Sequence, residues 1–121
     1  QWVPLSPIRA ASLWILGAAE GRGGREAELR LLYARGPEEQ ALRLSDWCEG
    51  PTFGERPAFR QETRQGPDGA AEATSCSLFL VAVPLDPGED LVGLRLPQEP
   101  HLHLFAMSLM SPMAHTSLVA R

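Results

Sequence analysis

Residues 27–34 have the sequence AELRLLYA, and this stretch decides the fold class. Leu29, Leu31 and Tyr33 alternate with charged residues, so a strand would place the apolar side chains on one face and the charges on the other. The alternative is a helix over 22–35, which contains good helix formers. The flanking sequences GRGG and RGP leave that helix barely three turns, so the alternation favours a strand.

A hairpin partner follows directly in the sequence. Residues 35–38 (RGPE) predict a turn, because glycine tolerates a positive φ and proline cannot continue a β-ladder. Alternation resumes over 40–47 (QALRLSDW), with the two leucines expected inward and Arg43 outward. We therefore predict a β-hairpin formed by 27–34 and 40–47.

Further apolar runs, each bounded by glycine or proline, predict strands over 11–18, 74–85, 91–96 and 101–110. Short strands at a spacing of roughly 10–15 residues are typical of an antiparallel β-sandwich. We predict an all-β fold, jelly-roll or immunoglobulin-like, with about six to eight strands. Residues 1–110 are expected to form one domain, and 111–121 a C-terminal tail or linker.

The segment 49–72 interrupts this pattern with four glycines, three prolines and no sustained period. A long loop is predicted here, and such loops usually carry function. Phe53 and Phe59 are expected to hold the loop against the domain. Residues 66–69 (GPDG) predict a turn at its tip.

Composition excludes several classes of function. The 121 residues carry a formal net charge of −4, which argues against a nucleic-acid partner. No apolar stretch approaches the roughly 18 residues that a membrane-spanning helix needs. All 11 basic residues are arginine and asparagine is absent. The sequence therefore has no lysine for a Schiff base or P-loop and no N-glycosylation site.

Cys48 and Cys76 are the two cysteines, 28 residues apart. Two thiols are too few for a disulfide scaffold, and too few for a zinc site without histidines. A single bridge is one alternative if the protein is exported. The other is that both are small hydrophobic residues at strand positions.

The histidines are the candidate metal ligands. His101 and His103 are two apart on a predicted strand, so both side chains are expected on one face together with Phe105. The leucines of this strand and Ala106 are expected on the other face. A metal site would need a third ligand, such as His115. No candidate third ligand lies at a diagnostic spacing from the two histidines, so no metal or other cofactor is predicted.

No catalytic residues are predicted. The acidic pairs 38–39 and 89–90 lie at turns, where no cleft is expected between two carboxylates, as a glycosidase would need. The G-x-S-x-G and H-E-x-x-H motifs are absent. A non-enzymatic role is therefore expected.

Three tryptophans are the most informative aromatic residues. Trp14 lies in an apolar run and is expected in the core. Trp47 follows Asp46 at a strand end, facing the long loop, where its flat ring could stack on a sugar or simply seal the end of the sandwich. The candidate ligand-binding residues are Asp46, Trp47, Phe53 and Arg56.

The order of these segments resembles the accessory β-sandwich modules of bacterial glycoside hydrolases. Such modules have an apolar strand, a strand ending in tyrosine, an acid-glycine turn, and a strand closing on aspartate-tryptophan. The matching residues here are 16–18 (LGA), 33–36 (YARG), 44–47 (LSDW), 94–97 (LRLP) and 102–106 (LHLFA). The match spans most of residues 11–110. It departs where Arg35 replaces the aspartate of the turn and Pro37 the small polar residue after it.

The resemblance implies a non-catalytic module of a larger, secreted bacterial glycoside hydrolase. Such a module packs on the catalytic domain of the same chain or binds a glycan. An immunoglobulin-like protein-interaction domain is the alternative, and it predicts an apolar patch outside the core. A small metal-dependent enzyme using His101 and His103 is the second alternative.

Overall fold

The structure of the chain is a computed structural model. It describes residues 1–49, 51–61, 64–65, 71–72 and 76–111, with the backbone alone at 59–61, 64–65 and 71–72. The strands are β1 (Trp2–Ile8), β2 (Ser12–Ala19), β3 (Arg25–Tyr33), β4 (Gly36–Leu44), β5 (Arg56–Gln61), β6 (Arg64–Gln65), β7 (Ala71–Glu72), β8 (Cys76–Pro84), β9 (Leu91–Arg95) and β10 (Leu102–Met110).

Eight of these strands form two antiparallel four-stranded sheets. Sheet A has the order β1-β9-β3-β4, and sheet B has the order β10-β2-β8-β5. The short strands β6 and β7 pair with each other alone. This architecture confirms the predicted all-β sandwich. In the described part of the chain, no helix is long and apolar enough to cross a membrane.

Alternating residues of both sheets fill the space between them. Leu29 and Leu31 of β3 are fully buried, whereas Glu28 is exposed, which confirms a strand rather than a helix at this position. Ile15 of β2 and Phe79 of β8 are the matching buried residues of sheet B. The core therefore follows from the period-two alternation seen in the sequence.

The β3–β4 hairpin is confirmed, but its predicted turn is wrong. The turn consists of Ala34 and Arg35 alone, and β4 already begins at Gly36, which pairs with Tyr33. Pro37 is therefore a strand residue rather than a turn residue. It is tolerated because β4 is the outermost strand of sheet A, where a missing N–H disrupts no second ladder.

Four strands, β1, β5, β6 and β7, lie where the sequence gives no strand pattern. β1 was not predicted because prolines at positions 4 and 7 obscure its alternation, and it too lies at an edge of its sheet. The prediction of one long loop over 49–72 is wrong, because β5 lies within it and pairs with β8. The side chain of Phe59 and the predicted turn at 66–69 lie outside what the structure describes.

The predicted facing of two residues is wrong. β10 contains a register shift between Leu104 and Ala106, so Ala106 pairs with Leu16 on the outer face of sheet B instead of facing the core. Trp14 is half-buried on the same outer face, opposite Ala82, and not in the core. The sequence of an apolar run does not indicate which residues face inward, because both faces of that strand are apolar.

Candidate ligand-binding site

Trp47 is held between the ends of two neighbouring strands of sheet B. β2 and β8 pair as far as Gly17 and Phe79, and the segment leading to Trp47 occupies the space beyond. The Trp47 N–H donates to the Ala19 carbonyl (3.1 Å), and the Trp47 carbonyl accepts the Ser77 N–H (2.6 Å). The backbone of Trp47 is therefore bonded to both neighbouring strands.

Asp46 has a structural role in this arrangement. One carboxylate oxygen accepts the Gly21 N–H (2.7 Å) and the other accepts the Cys48 N–H (2.9 Å). A disulfide joins Cys48 to Cys76 at the start of β8. The Asp46 carboxylate therefore shapes the loop that presents Trp47, and its role in ligand binding stays a prediction. Of the two alternatives for the cysteines, the structure has the bridged one.

The indole of Trp47 lines a hollow on the outer face of sheet B, with a volume of about 210 Å³. Its apolar floor consists of Ala18, Ala19 and Leu78, and Phe105 forms a second wall. Trp47 is 47% exposed and Phe105 is 61% exposed. Phe105 projects here because it occupies the register shift of β10. Two accessible aromatic rings therefore border one concave surface.

A polar pair completes the rim of the hollow. Nε2 of His103 lies 2.9 Å from Oε1 of Glu20, and both residues line the hollow. Nδ1 of His101 lies 4.0 Å from the other oxygen of Glu20. His101 belongs to the turn before β10, so the prediction that both histidines lie on the strand is correct for His103 alone.

The described residues contain no group of three or more histidine, cysteine, aspartate or glutamate side chains arranged to hold a metal ion. His101 and His103 therefore have no third ligand of that kind in the part of the chain that the structure describes. The other predicted ligand, His115, lies outside those residues. His103 is a hydrogen-bonding partner of Glu20, and His101 lies near the same carboxylate without a hydrogen bond to it.

Phe53 and Arg56 do not join Trp47. Both line a separate groove between β4 and β8, with a volume of about 630 Å³. Between them, the buried Glu55 accepts hydrogen bonds from the N–H groups of Ser45 (2.7 Å) and Phe53 (3.0 Å). This buried carboxylate holds the backbone of the segment in place. The four predicted ligand-binding residues therefore lie at two different places, Asp46 and Trp47 at one and Phe53 and Arg56 at the other.

Sequence reasoning missed the other members of the Trp47 hollow. Phe105 was expected on the same face as the histidines, which is correct for His103, but nothing in the sequence marks Phe105 as the neighbour of Trp47. Glu20 follows β2 and meets His103 only because β2 and β10 are paired. A pairing of residues 83 positions apart has no local signal in a single sequence.

The outer faces of the two sheets differ sharply. On sheet B, the described outward residues of the three strands β10, β2 and β8 are mostly apolar: Trp14, Leu16, Ala18, Leu78, Leu80, Ala82 and Ala106. On sheet A, charged residues predominate: Glu26, Glu28, Arg30, Glu39, Arg43 and Arg95. The Trp47 hollow lies at one end of the apolar outer face of sheet B.

Ion pairs stabilise the charged face of sheet A. Arg30 contacts Glu39 and Arg43 contacts Glu26, each at 2.8 Å. The hydrogen bond from the Arg30 guanidinium lowers the pKa of the Glu39 carboxyl below its ordinary value. Both pairs are exposed, so each contributes little to stability.

No protein-family model matches the chain, and a search of curated proteins finds no match either.

Proposed function

We propose that this protein is a non-catalytic β-sandwich module that binds carbohydrate and belongs to a larger, secreted bacterial glycoside hydrolase. The observation that carries the proposal is the hollow between Trp47 and Phe105, with the Glu20–His103 pair at its rim. The segment order that resembles accessory modules of such enzymes supports the same role. The disulfide supports export, because disulfides persist mainly in oxidising compartments.

The chemistry of the hollow suits a sugar ring. Aromatic rings offer a large apolar face, and the C–H groups of a pyranose pack on such a face. A carboxylate accepts hydrogen bonds from hydroxyl groups, and an imidazole can donate or accept them. Trp47 and Phe105 would contact the ring, while Glu20 and His103 would bind hydroxyl groups at its edge.

The same hollow favours binding over hydrolysis. Among the lining side chains that the structure describes, Glu20 is the single carboxylic acid. Glycoside hydrolysis in most families uses two carboxyl groups on either side of the scissile bond. Hydrolysis is therefore assigned to a separate catalytic domain of the parent protein.

A second function is favoured by the apolar outer face of sheet B. A sheet face that meets water is normally polar, as on sheet A, and contiguous exposed apolar surface marks interaction sites. A protein-interaction role, in which this face packs on another domain, is the second candidate. The catalytic domain of the same parent chain is the partner that the accessory role implies.

Affinity electrophoresis tests carbohydrate binding directly. The whole chain is run through native gels that contain soluble β-glucan, xylan, mannan or galactan. We expect retardation by at least one polysaccharide, and loss of that retardation in Trp47→Ala and Phe105→Ala. Each variant should weaken binding roughly tenfold or more, because buried aromatic contacts dominate small interfaces.

Trp2→Ala is the matched control, because Trp2 has the same 47% exposure as Trp47 but lies on sheet A. Its retardation should equal that of the unmodified chain. Far-ultraviolet circular dichroism checks that all three variants keep the β-sandwich. Equal retardation of the Trp47→Ala and Trp2→Ala variants, or no retardation by any of the four polysaccharides, would contradict the proposal.

A further inference from the structure

The second half of β8 forms an open edge of sheet B. β5 pairs with β8 only between Cys76 and Leu80, whereas β2 pairs with it as far as Pro84. Residues 81–84 therefore have no strand beside them, among those described, on the side away from β2. An added strand could lie here in line with β5.

The backbone groups of Ala82 point into this open edge. The Leu85 N–H donates to the Ala11 carbonyl (3.0 Å), on the side of β2. Consecutive residues of an antiparallel strand direct their backbone groups alternately to its two sides, so Val83 also faces β2 and Ala82 faces away from it. Ala82 therefore offers an N–H and a carbonyl, while Pro84 offers a carbonyl alone.

The opposite wall of this space is another strand edge. β4 is the outermost strand of sheet A, and its residues 40–43 line the groove together with residues 80–84 of β8. Ala41 and Ala82 line the groove, and both residues are exposed. Three steps of about 3.3 Å along β8, from residue 81 to residue 84, give a length that fits roughly four residues of extended chain.

The charged side chains in the groove favour an acidic occupant. Arg56 is exposed, and none of the described residues forms an ion pair with it. Arg43 already contacts Glu26. Glu55 is the single carboxylate among the described residues that line the groove, and it is buried and uses both oxygens to accept backbone N–H groups. Among the described residues, the Arg56 guanidinium is therefore a positive charge without an ion-pair partner, at the end of the groove where β5 begins.

We infer that this groove binds an extended polypeptide segment that carries an acidic side chain. The segment pairs with Ala82 as a short added strand of sheet B, and its carboxylate contacts Arg56. Main-chain hydrogen bonds give affinity in such strand addition, and side-chain contacts give specificity. This site is separate from the Trp47 hollow and does not rest on carbohydrate binding.

Selection from a phage-displayed library of random heptapeptides on the immobilised chain tests the inference. The enriched sequences are synthesised, and their dissociation constants are measured by fluorescence anisotropy. We expect acidic peptides whose binding weakens at least about tenfold, or 1.4 kcal/mol, in Arg56→Glu and in Ala82→Pro. Proline at position 82 removes the open N–H without removing a bond to β2.

Arg95→Glu is the control, since Arg95 is an exposed strand arginine on sheet A. The dissociation constant of the peptide for this variant should change less than twofold. Two further peptides carry N-methyl groups on alternate residues, one on the odd-numbered and one on the even-numbered positions. One of the two should lose binding and the other should keep it, because only alternate N–H groups face β8. A side-chain contact alone would not produce this difference. The inference is overturned if no acidic peptide is enriched. It is also overturned if enriched peptides bind both variants normally. Sedimentation that shows a dimer of the chain, lost in both variants, would assign the groove to a second copy instead.

Discussion

The outer faces of sheets A and B differ in the type of residue that they carry. Trp2 and Trp47 are equally exposed, at 47% each. Trp2 covers the backbone of Gly93 on a face rich in glutamate and arginine. Trp47 borders a hollow at the end of an apolar face, opposite Phe105. Equal exposure therefore does not mean equal surroundings, because Trp47 lies beside a second aromatic ring and a polar pair.

The largest effect on this comparison is expected from the disulfide, which lies at the Trp47 end of sheet B. Replacing both Cys48 and Cys76 by alanine should lower the free energy of unfolding by about 3–4 kcal/mol, because the unfolded chain loses the closure of a loop of 28 residues. Urea unfolding followed by tryptophan fluorescence measures the loss. The unmodified chain under reducing conditions should match the double variant. A loss below about 1 kcal/mol would show that the backbone hydrogen bonds of Trp47 stabilise this end of sheet B without the disulfide.

A smaller effect is expected from replacing one leucine by lysine on the outer face of each sheet. Leu16 and Leu32 are both half-buried leucines on the outer faces of central strands, Leu16 on sheet B and Leu32 on sheet A. Leu16→Lys should reduce the binding of a hydrophobic fluorescent dye, while Leu32→Lys should leave it unchanged. The cost in stability should be similar for both, roughly 0.5–1 kcal/mol.

Equal dye binding by the two variants would mean that the outer face of sheet B is not a distinct apolar surface. Reduced dye binding in Leu16→Lys would support the second candidate function, because it locates the accessible apolar area on this face. Chemical unfolding of both variants controls for loss of the native fold.

The smallest effect concerns the charged face of sheet A. The hydrogen bond from Arg30 lowers the pKa of Glu39, so the pair stabilises the fold above the ordinary carboxyl pKa. That contribution is lost as the pH falls through the lowered pKa. Titration of the Glu39 carboxyl carbon by nuclear magnetic resonance should show the pKa rising toward its ordinary value in Arg30→Gln.

Added salt should shift the Glu39 pKa in the same direction in the unmodified chain, because the pair is exposed and screened. An identical Glu39 pKa in the unmodified chain and in Arg30→Gln would contradict the assigned cause.

The fold was predictable where alternation is local. β3 has one charged and one apolar face, so its period is visible in the sequence, and the hairpin follows from the glycine after it. The start of β4 and the whole of β1 were missed because proline marks a turn in most contexts, and its tolerance at a sheet edge depends on the final strand order. The misplacement of Trp14 has a similar cause, since the apolar outer face of β2 carries the same residue types as the core.

The candidate site was predictable only in part. Trp47 was identified because an aromatic residue at a strand end is a local feature. The hydrogen bonds of Asp46 to Gly21 and Cys48 were not predicted, because they depend on how the loop closes. Phe105 and Glu20 enter the site through strand pairing and a register shift. Such contacts between distant positions leave no trace in the spacing of residues along one chain.

The attachment of Trp47 to both β2 and β8 has a consequence for how a ligand would bind. Loops that order on binding lose conformational entropy, which weakens affinity. Here the Ala19 and Ser77 bonds fix the main chain of Trp47, and the adjacent disulfide anchors the next residue. The main chain that carries the indole is therefore preorganised, and association should proceed with little rearrangement of the backbone around it.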